Sequence, residues 1–324
     1  MRFLFCILSL FVAFNLCGKE INVTYPRAPL NLQLIVMKHK GLLEKEFAKD
    51  GIKINFHDIM DGKEQIRALA AGKIDICGSI NTTSIIIAAG QNIKLKIIRA
   101  VCIPTGTLAL MTTNPNIKSV KDLKGKTIAC ASKCSLHQIL LGALAQNNMT
   151  IKDVNYIPMS LAETYKAMFS GKVDAGLLVS VEVVNAKKRG ARVLRTAKGL
   201  MRPKLVVAVS ESFAQKHPDW VKRYIKVQDE AMAFIKNHKH EALELAAKDL
   251  GISYQDAEWL YNNTKFINAL NKDDIISLRK DIDFLYQQKL IPRKVNILSK
   301  GAGIEIAFEN FVRNQISLCA VSFK

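Results

Sequence analysis

Two stretches of this chain repeat one design. KEQIRALAAGKIDICGS (63–79) is echoed by ETYKAMFSGKVDAGLLVS (163–180). Each reads as an amphipathic helix, a glycine able to end it in a left-handed conformation, then Lys, an aliphatic residue, Asp and a strand. Gly72 and Gly171 stand 99 residues apart. That is the span of a lobe, well beyond the period of roughly 20–50 residues that marks a solenoid. The repeat therefore points to two similar α/β lobes, and a length of 324 residues gives the same prior of two.

The surrounding sequence keeps the alternation going. Residues 20–25 read as a strand and 30–48 as one helix, 53–56 as a second strand, 63–71 as a second helix and 74–77 as a third strand. Such alternation predicts an α/β fold with a mainly parallel sheet. From Val206 the pattern changes: LVVAVS is strand-like, and 217–288 is almost all helical period. Only 8 prolines and 17 glycines occur, so no floppy linker separates the units.

The first 18 residues carry one charge, Arg2, ahead of the apolar run FLFCILSLFVAF. That run is short for a bilayer span and sits where the apolar region of a secretory signal belongs. A soluble extracytoplasmic protein is the expectation. Cys17 stands where a bacterial lipoprotein would be acylated, but Leu16 before it is larger than that processing prefers, so a lipid anchor is the alternative. Removing the signal takes the net charge from +19 to +18. Lysines are spread along the chain without a basic tail or a nucleic-acid-binding motif, so nucleic acid is not an expected partner.

Further pieces fall in a recognisable order: HKGLLEKEF with DGIKINF, then EQIRALAAGKIDICGS, NIKSVKDLKGKTIA and FAQKHPDWVK. From about residue 21 to 292 the chain resembles the extracytoplasmic solute-binding proteins of ABC importers for nitrate, taurine, aliphatic sulfonates and thiamine-pyrimidine precursors. The resemblance implies a two-lobed, hinged type II periplasmic-binding-protein (Venus flytrap) fold, with lobe one from 19–109 and 206–324, lobe two from 110–205, and the C-terminal helices on lobe one. Ligand would lie in the cleft, at strand carboxyl ends and helix N-termini. The implied partners are a small-molecule ligand and an ABC permease in the membrane; a monomer with no cofactor is expected.

Site candidates follow. The family's Gly-Ser-Ser-like turn is matched by Lys133, Cys134 and Ser135, with lysine in place of glycine; Cys134 and Ser135 are thus ligand candidates as well as N-caps. His137 lies three residues after Cys134. On the facing lobe Arg27 is placed to clamp an anionic head group, and Asn31 opens the next helix. Asn81 and Thr82 follow the third strand; Ser180 and Glu182 follow the corresponding strand of lobe two. Arg27 favours an oxyanion and Glu182 a ligand with an N–H or positive group, so a zwitterion or heterocycle would satisfy both.

Cys130-x3-Cys134 lacks the second ligand pair of a structural zinc site, and no metal is expected. A disulfide between Cys130 and Cys134 is open in an oxidising compartment, as is one between Cys77 and Cys102; the alternative is small buried hydrophobes. Asn22 sits in an acidic-x-Asn-x-Thr glycosylation pattern that overlaps the first strand and reads as coincidence. The function expected is a transport binding protein for a sulfonate-, taurine- or pyrimidine-like solute. The alternative is an enzyme on the same fold, making thiamine pyrimidine or another cofactor with Cys134 and His137.

Overall fold

The computed structural model describes residues 19–28, 30–297 and 303–306. The expected signal, Cys17 and Cys319 lie outside them. The first sheet opens with β1 (Glu20–Thr24), α1 (Leu32–His39), α2 (Leu42–Phe47), β2 (Lys53–His57), α3 (Gly62–Ala70), β3 (Ile76–Asn81), α4 (Thr82–Gly90) and β4 (Leu95–Ile103). The chain then builds a second sheet from β5 (Leu108–Thr112), β6 (Thr127–Cys130), α5 (Ser135–Ala145), β7 (Asn155–Pro158), α6 (Leu161–Phe169), β8 (Ala175–Val179), α7 (Val181–Lys188) and β9 (Arg192–Thr196). It returns through β10 (Leu205–Ser210) to α8 (Glu211–Lys216), α9 (Pro218–Asn237), α10 (Lys239–Leu250) and α11 (Tyr254–Asn262). β11 (Lys265–Phe266), α12 (Lys272–Gln287), β12 (Asn296–Ile297) and β13 (Gly303–Ile306) complete the described chain.

The strand order is β12-β13-β4-β10-β3-β1-β2, with β11 on β4, in one sheet and β7-β6-β8-β5-β9 in the other. Both sheets are mixed, which corrects the mainly parallel expectation. β10 runs antiparallel to both β3 and β4, and β5 antiparallel to both β8 and β9. An apolar run such as LVVAVS encodes burial on two faces but not strand direction. Alternate residues of β10 show the two faces: Leu205, Val207 and Val209 enter one core, Val206 and Ala208 the other. The single helix expected over 30–48 is two, because Gly41 takes φ +59° and breaks it.

The repeat has a physical basis in each lobe. Gly72 and Gly171 both adopt positive φ, and Lys73 N–H and Lys172 N–H each return to a helix carbonyl, that of Ala68 and of Ala167, at 2.9 Å. Asp75 Oδ2 accepts from the Asn22 backbone N–H at 2.8 Å; Asp174 Oδ2 accepts from that of Thr127 at 2.9 Å. Each aspartate thus ties the start of one parallel strand to its neighbour, to the middle of β1 in the first lobe and to the start of β6 in the second. Cys77 and Cys102 are free, because β10 lies between their strands; Cys130 and Cys134 are free as well.

Cross-lobe packing is extensive. Val184 of α7 belongs to a core formed by the first lobe, and Trp259 of α11 packs on a core of the second. Lys187 Nζ lies 4.6 Å from the Trp259 ring centre, and Lys188 pairs with Asp256.

Candidate functional site

Four helix N-termini converge on one cavity of about 180 Å³ between the lobes. Their capping residues, Asp61 (α3), Asn81 (α4), Cys134 (α5) and Ser160 (α6), all line it, two from each lobe. Asp61 Oδ1 accepts from the N–H groups of Lys63 (2.9 Å) and Glu64 (3.0 Å), Asn81 Oδ1 from Ser84 N–H (2.8 Å) and Ser160 Oγ from Glu163 N–H (3.3 Å). These caps take part of the donor surplus, and the Asp61 carboxylate offsets the positive end of α3. The ends of α4, α5 and α6 keep their partial positive charge directed at the cavity and favour an anion there, α5 having no side-chain cap bond. The rest of the wall is mostly apolar, with Pro26, Met60, Pro104, Leu108, Leu136, Leu161 and Val179. Among the described residues no aromatic ring lines it.

Gly62, at the start of α3, and Gly78, in β3, mark close approaches near this cavity. A Cβ on Gly78 would stand 2.5 Å from the Thr24 carbonyl oxygen, and one on Gly62 would collide with Ser84 Oγ. Neither glycine has positive φ, so it is contact that excludes a side chain.

A buried polar chain crosses between the lobes beside the cavity. Ser135 Oγ and Thr83 Oγ1 are 3.1 Å apart, Thr83 Oγ1 donates to Gln138 Oε1 at 3.0 Å, and Gln138 Nε2 donates to Asp281 Oδ1 at 2.8 Å. Asp281 Oδ2 faces Lys204 Nζ at 3.6 Å. Lys204 is fully buried and also donates to the Arg202 carbonyl (2.8 Å) and Ser277 Oγ (2.9 Å). Burial pushes the Asp281 carboxyl up and the Lys204 ammonium down, and the attraction between them opposes both shifts. On the facing lobe a shorter chain runs from Gly78 N–H to Thr24 Oγ1 (3.1 Å) and from Thr24 Oγ1 to Gln65 Oε1 (2.8 Å), and Gln65 lines the cavity.

The sequence candidates divide. Asn81, Cys134 and Ser135 line the cavity. Arg27 does not: it is exposed and its Nε pairs with Asp58 at 3.1 Å, while its neighbours Pro26 and Ala28 form the wall. Asn31 lies buried behind the wall, donating to the Pro26 carbonyl (2.6 Å) and accepting from Ser79 Oγ (2.7 Å). Thr82 is buried, its Oγ1 without a partner among the described residues. Ser180 is likewise buried, its Oγ without a partner among the described residues, at φ +56°, a conformation that strains a serine. Glu182 is outside the wall, its carboxyl pushed up by burial.

Cys134 and His137 are not arranged for thiol chemistry. Burial pushes the Cys134 thiol up, against the pull of the His137 and Leu136 backbone N–H groups, and its Sγ–H points to the Ala131 carbonyl at 3.4 Å. His137 is stacked on Tyr156 with ring centres 5.0 Å apart, its Nδ1 accepts from Lys133 N–H, and burial lowers its pKa. Lys133 holds φ +53°, the conformation a glycine would take most easily there. Among the described residues no group of three or more His, Cys, Asp or Glu could hold a metal, and no helix is long and apolar enough to cross a membrane.

Gln65, Thr83, Gln138, Lys204 and Asp281 were not marked by the sequence. One signal was available for Gln65: it falls inside the first copy of the repeat, four residues after the Asp61 cap.

Comparison with known proteins agrees with this fold. A family model described as NMT1/THI5 like matches residues 32–242. A Bacillus subtilis protein named as an aliphatic sulfonates-binding protein is 31% identical over 274 residues, covering 82% of this chain and 80% of its own length. The taurine-binding periplasmic protein of Escherichia coli is 25% identical over 67% of this chain and 66% of its own. Among solved structures, the alkanesulfonate-binding protein of Xanthomonas axonopodis pv. citri bound to MOPS superposes with a TM-score of 0.79 at 22% identity, covering 89% of this chain and 98% of that one. At that identity the likeness establishes the periplasmic-binding-protein fold. The relatives in sequence are named as binding proteins, not enzymes.

Proposed function

The chain belongs to the NMT1/THI5-like family, and from that membership we propose that it is the extracytoplasmic binding component of an ABC importer for a small aliphatic sulfonate. The observation that carries the reading is the cavity wall: four helix N-termini at a mostly apolar slot of about 180 Å³, with Gln65, Ser79, Ser135 and Lys204 as its other polar side chains. A sulfonate needs hydrogen-bond donors and partial positive charge for its head group, and an apolar slot for its carbon chain. Both are supplied by the same wall. Pyrimidine-like solutes fit less well, because no aromatic side chain offers a stacking face. Closure would move the lobes about the two crossings, residues 104–107 and 197–204, and the permease would read the closed form.

A thermal-shift screen of the purified mature chain against alkanesulfonates, 2-aminoethanesulfonate, nitrate and pyrimidines tests this. Saturable stabilisation by a short sulfonate is expected. Stabilisation by a pyrimidine alone, or by nitrate alone, would replace the reading.

A further inference from the structure

The two polar chains beside the cavity have opposite polarity, and hydrogen counting fixes it. In the first lobe Thr24 Oγ1 accepts from Gly78 N–H, and because the Gln65 atom facing it is Oε1, which can only accept, the single hydroxyl hydrogen of Thr24 goes onward to that oxygen. The amide group of Gln65 is then turned so that Nε2 has no acceptor among the described residues, and its two hydrogens are what Gln65 offers the cavity it lines. In the second chain the anchor is an acceptor. The carboxylate of Asp281, facing Lys204, takes a hydrogen from Gln138 Nε2. Gln138 Oε1 then faces Thr83, whose one hydrogen is spent on it at 3.0 Å. The 3.1 Å contact between Thr83 and Ser135 has only one hydrogen left to use, that of Ser135. Ser135 therefore points its hydrogen away from the cavity wall and leaves lone pairs there.

We propose that Asp281, acting through Gln138 and Thr83, is a specificity-determining residue that makes the Ser135 side of the cavity an acceptor, while Gln65 makes the opposite lobe a donor. The solute it selects is bipolar: an oxyanion toward Gln65 and an N–H or O–H donor toward Ser135. An amino- or hydroxy-substituted short sulfonate satisfies both ends; an ammonium does so against the partial positive N-terminus of α5, an opposition that a hydroxyl avoids. An unsubstituted alkanesulfonate leaves the Ser135 lone pairs without a partner, a loss that falls on discrimination rather than on fold. This rests on the sulfonate reading above and narrows it.

Two probes of equal length separate the ends: 2-aminoethanesulfonate and propane-1-sulfonate, in which a methyl replaces the ammonium. Calorimetric Kd values for the wild type should favour the amino compound roughly tenfold or more, as expected for a hydrogen bond from a charged donor. Thr83→Val removes the acceptor that holds the Ser135 hydrogen, so the ratio should collapse toward one. Thr83→Ser, which keeps the hydroxyl, should retain it. Gln65→Met should weaken both probes alike and leave the ratio intact. A ratio unchanged in Thr83→Val, or a wild type that prefers propane-1-sulfonate, overturns the relay while leaving sulfonate binding standing. Failure of both probes to bind the wild type overturns the sulfonate reading and the relay together. Melting curves of each variant separate these results from misfolding.

Discussion

Replacing Lys204 by Met should produce a defect whose size depends on pH. Lys204 and Asp281 have side chains 0% and 6% exposed, 3.6 Å apart. Removing one member of a buried pair leaves the other charge without compensation and typically costs about 3–5 kcal/mol. For a unit of 150–250 residues, each kcal/mol lowers Tm by roughly 2–4 °C, so Lys204→Met should melt lower by about 6–20 °C at neutral pH. Acid should relieve the difference. Burial already holds the Asp281 carboxyl above its ordinary value, and losing the lysine removes the main opposing attraction. A carboxyl with a raised folded-state pKa takes up its proton sooner in the folded state than in the unfolded one. Its penalty is therefore full above the folded pKa and fades as pH falls through that value toward the unfolded one. Differential scanning calorimetry of wild type and variant between neutral pH and pH 5 gives the comparison. The double variant Lys204→Met/Asp281→Leu should recover most of the loss, since it leaves no lone charge. A Lys204→Met variant that loses less than about 1 kcal/mol, with no pH dependence of the difference, would refute the reasoning, because that is the behaviour of a solvated surface pair.

Gly78→Ala forces a Cβ to within 2.5 Å of the Thr24 carbonyl oxygen, a backbone atom in the middle of a sheet. A loss of about 1–3 kcal/mol or more is expected in urea unfolding, together with weaker sulfonate binding through the displaced Thr24 and Gln65. Asp75→Ala and Asp174→Ala each strip the acceptor from a strand N–H, and should each cost about 1–3 kcal/mol in the same assay. Similar losses in both would show that the repeat is a structural device used twice. Cys134 should react with iodoacetamide at pH 7 more slowly than free cysteine, because burial disfavours its thiolate; a faster reaction would contradict the placement of its sulfur.

What was legible in the sequence was whatever local pattern dictates. The repeat gave the paired helix–glycine–strand units, a short polar residue opening a helix gave Asn81, and the family resemblance gave Cys134 and Ser135; all three stand on the cavity wall. Strand direction was not legible, since β5 and β10 are apolar along their length whichever way they run. Helix α4 is buried at all nine positions and so has no amphipathic period to reveal its place between the lobes. Arg27 has the right chemistry for an anion, but Asp58, 31 residues away, takes its guanidinium at the rim. The relay escaped for the same reason. Gln138 and Asp281 are 143 residues apart, and nothing local says that these two polar residues, among many on helical surfaces, turn inward and meet. Only the tertiary fold makes an ordinary glutamine the link between a buried lysine and a cavity serine.

The central claim, that the cavity between the lobes holds a short sulfonate through Gln65 and the converging helix ends, is tested most directly by isothermal titration of 2-aminoethanesulfonate into the wild type and Gln65→Met. The account predicts one saturable site per chain with a negative heat-capacity change, and at least tenfold weaker binding in Gln65→Met. No saturable heat at millimolar ligand, or full affinity in Gln65→Met, would contradict it.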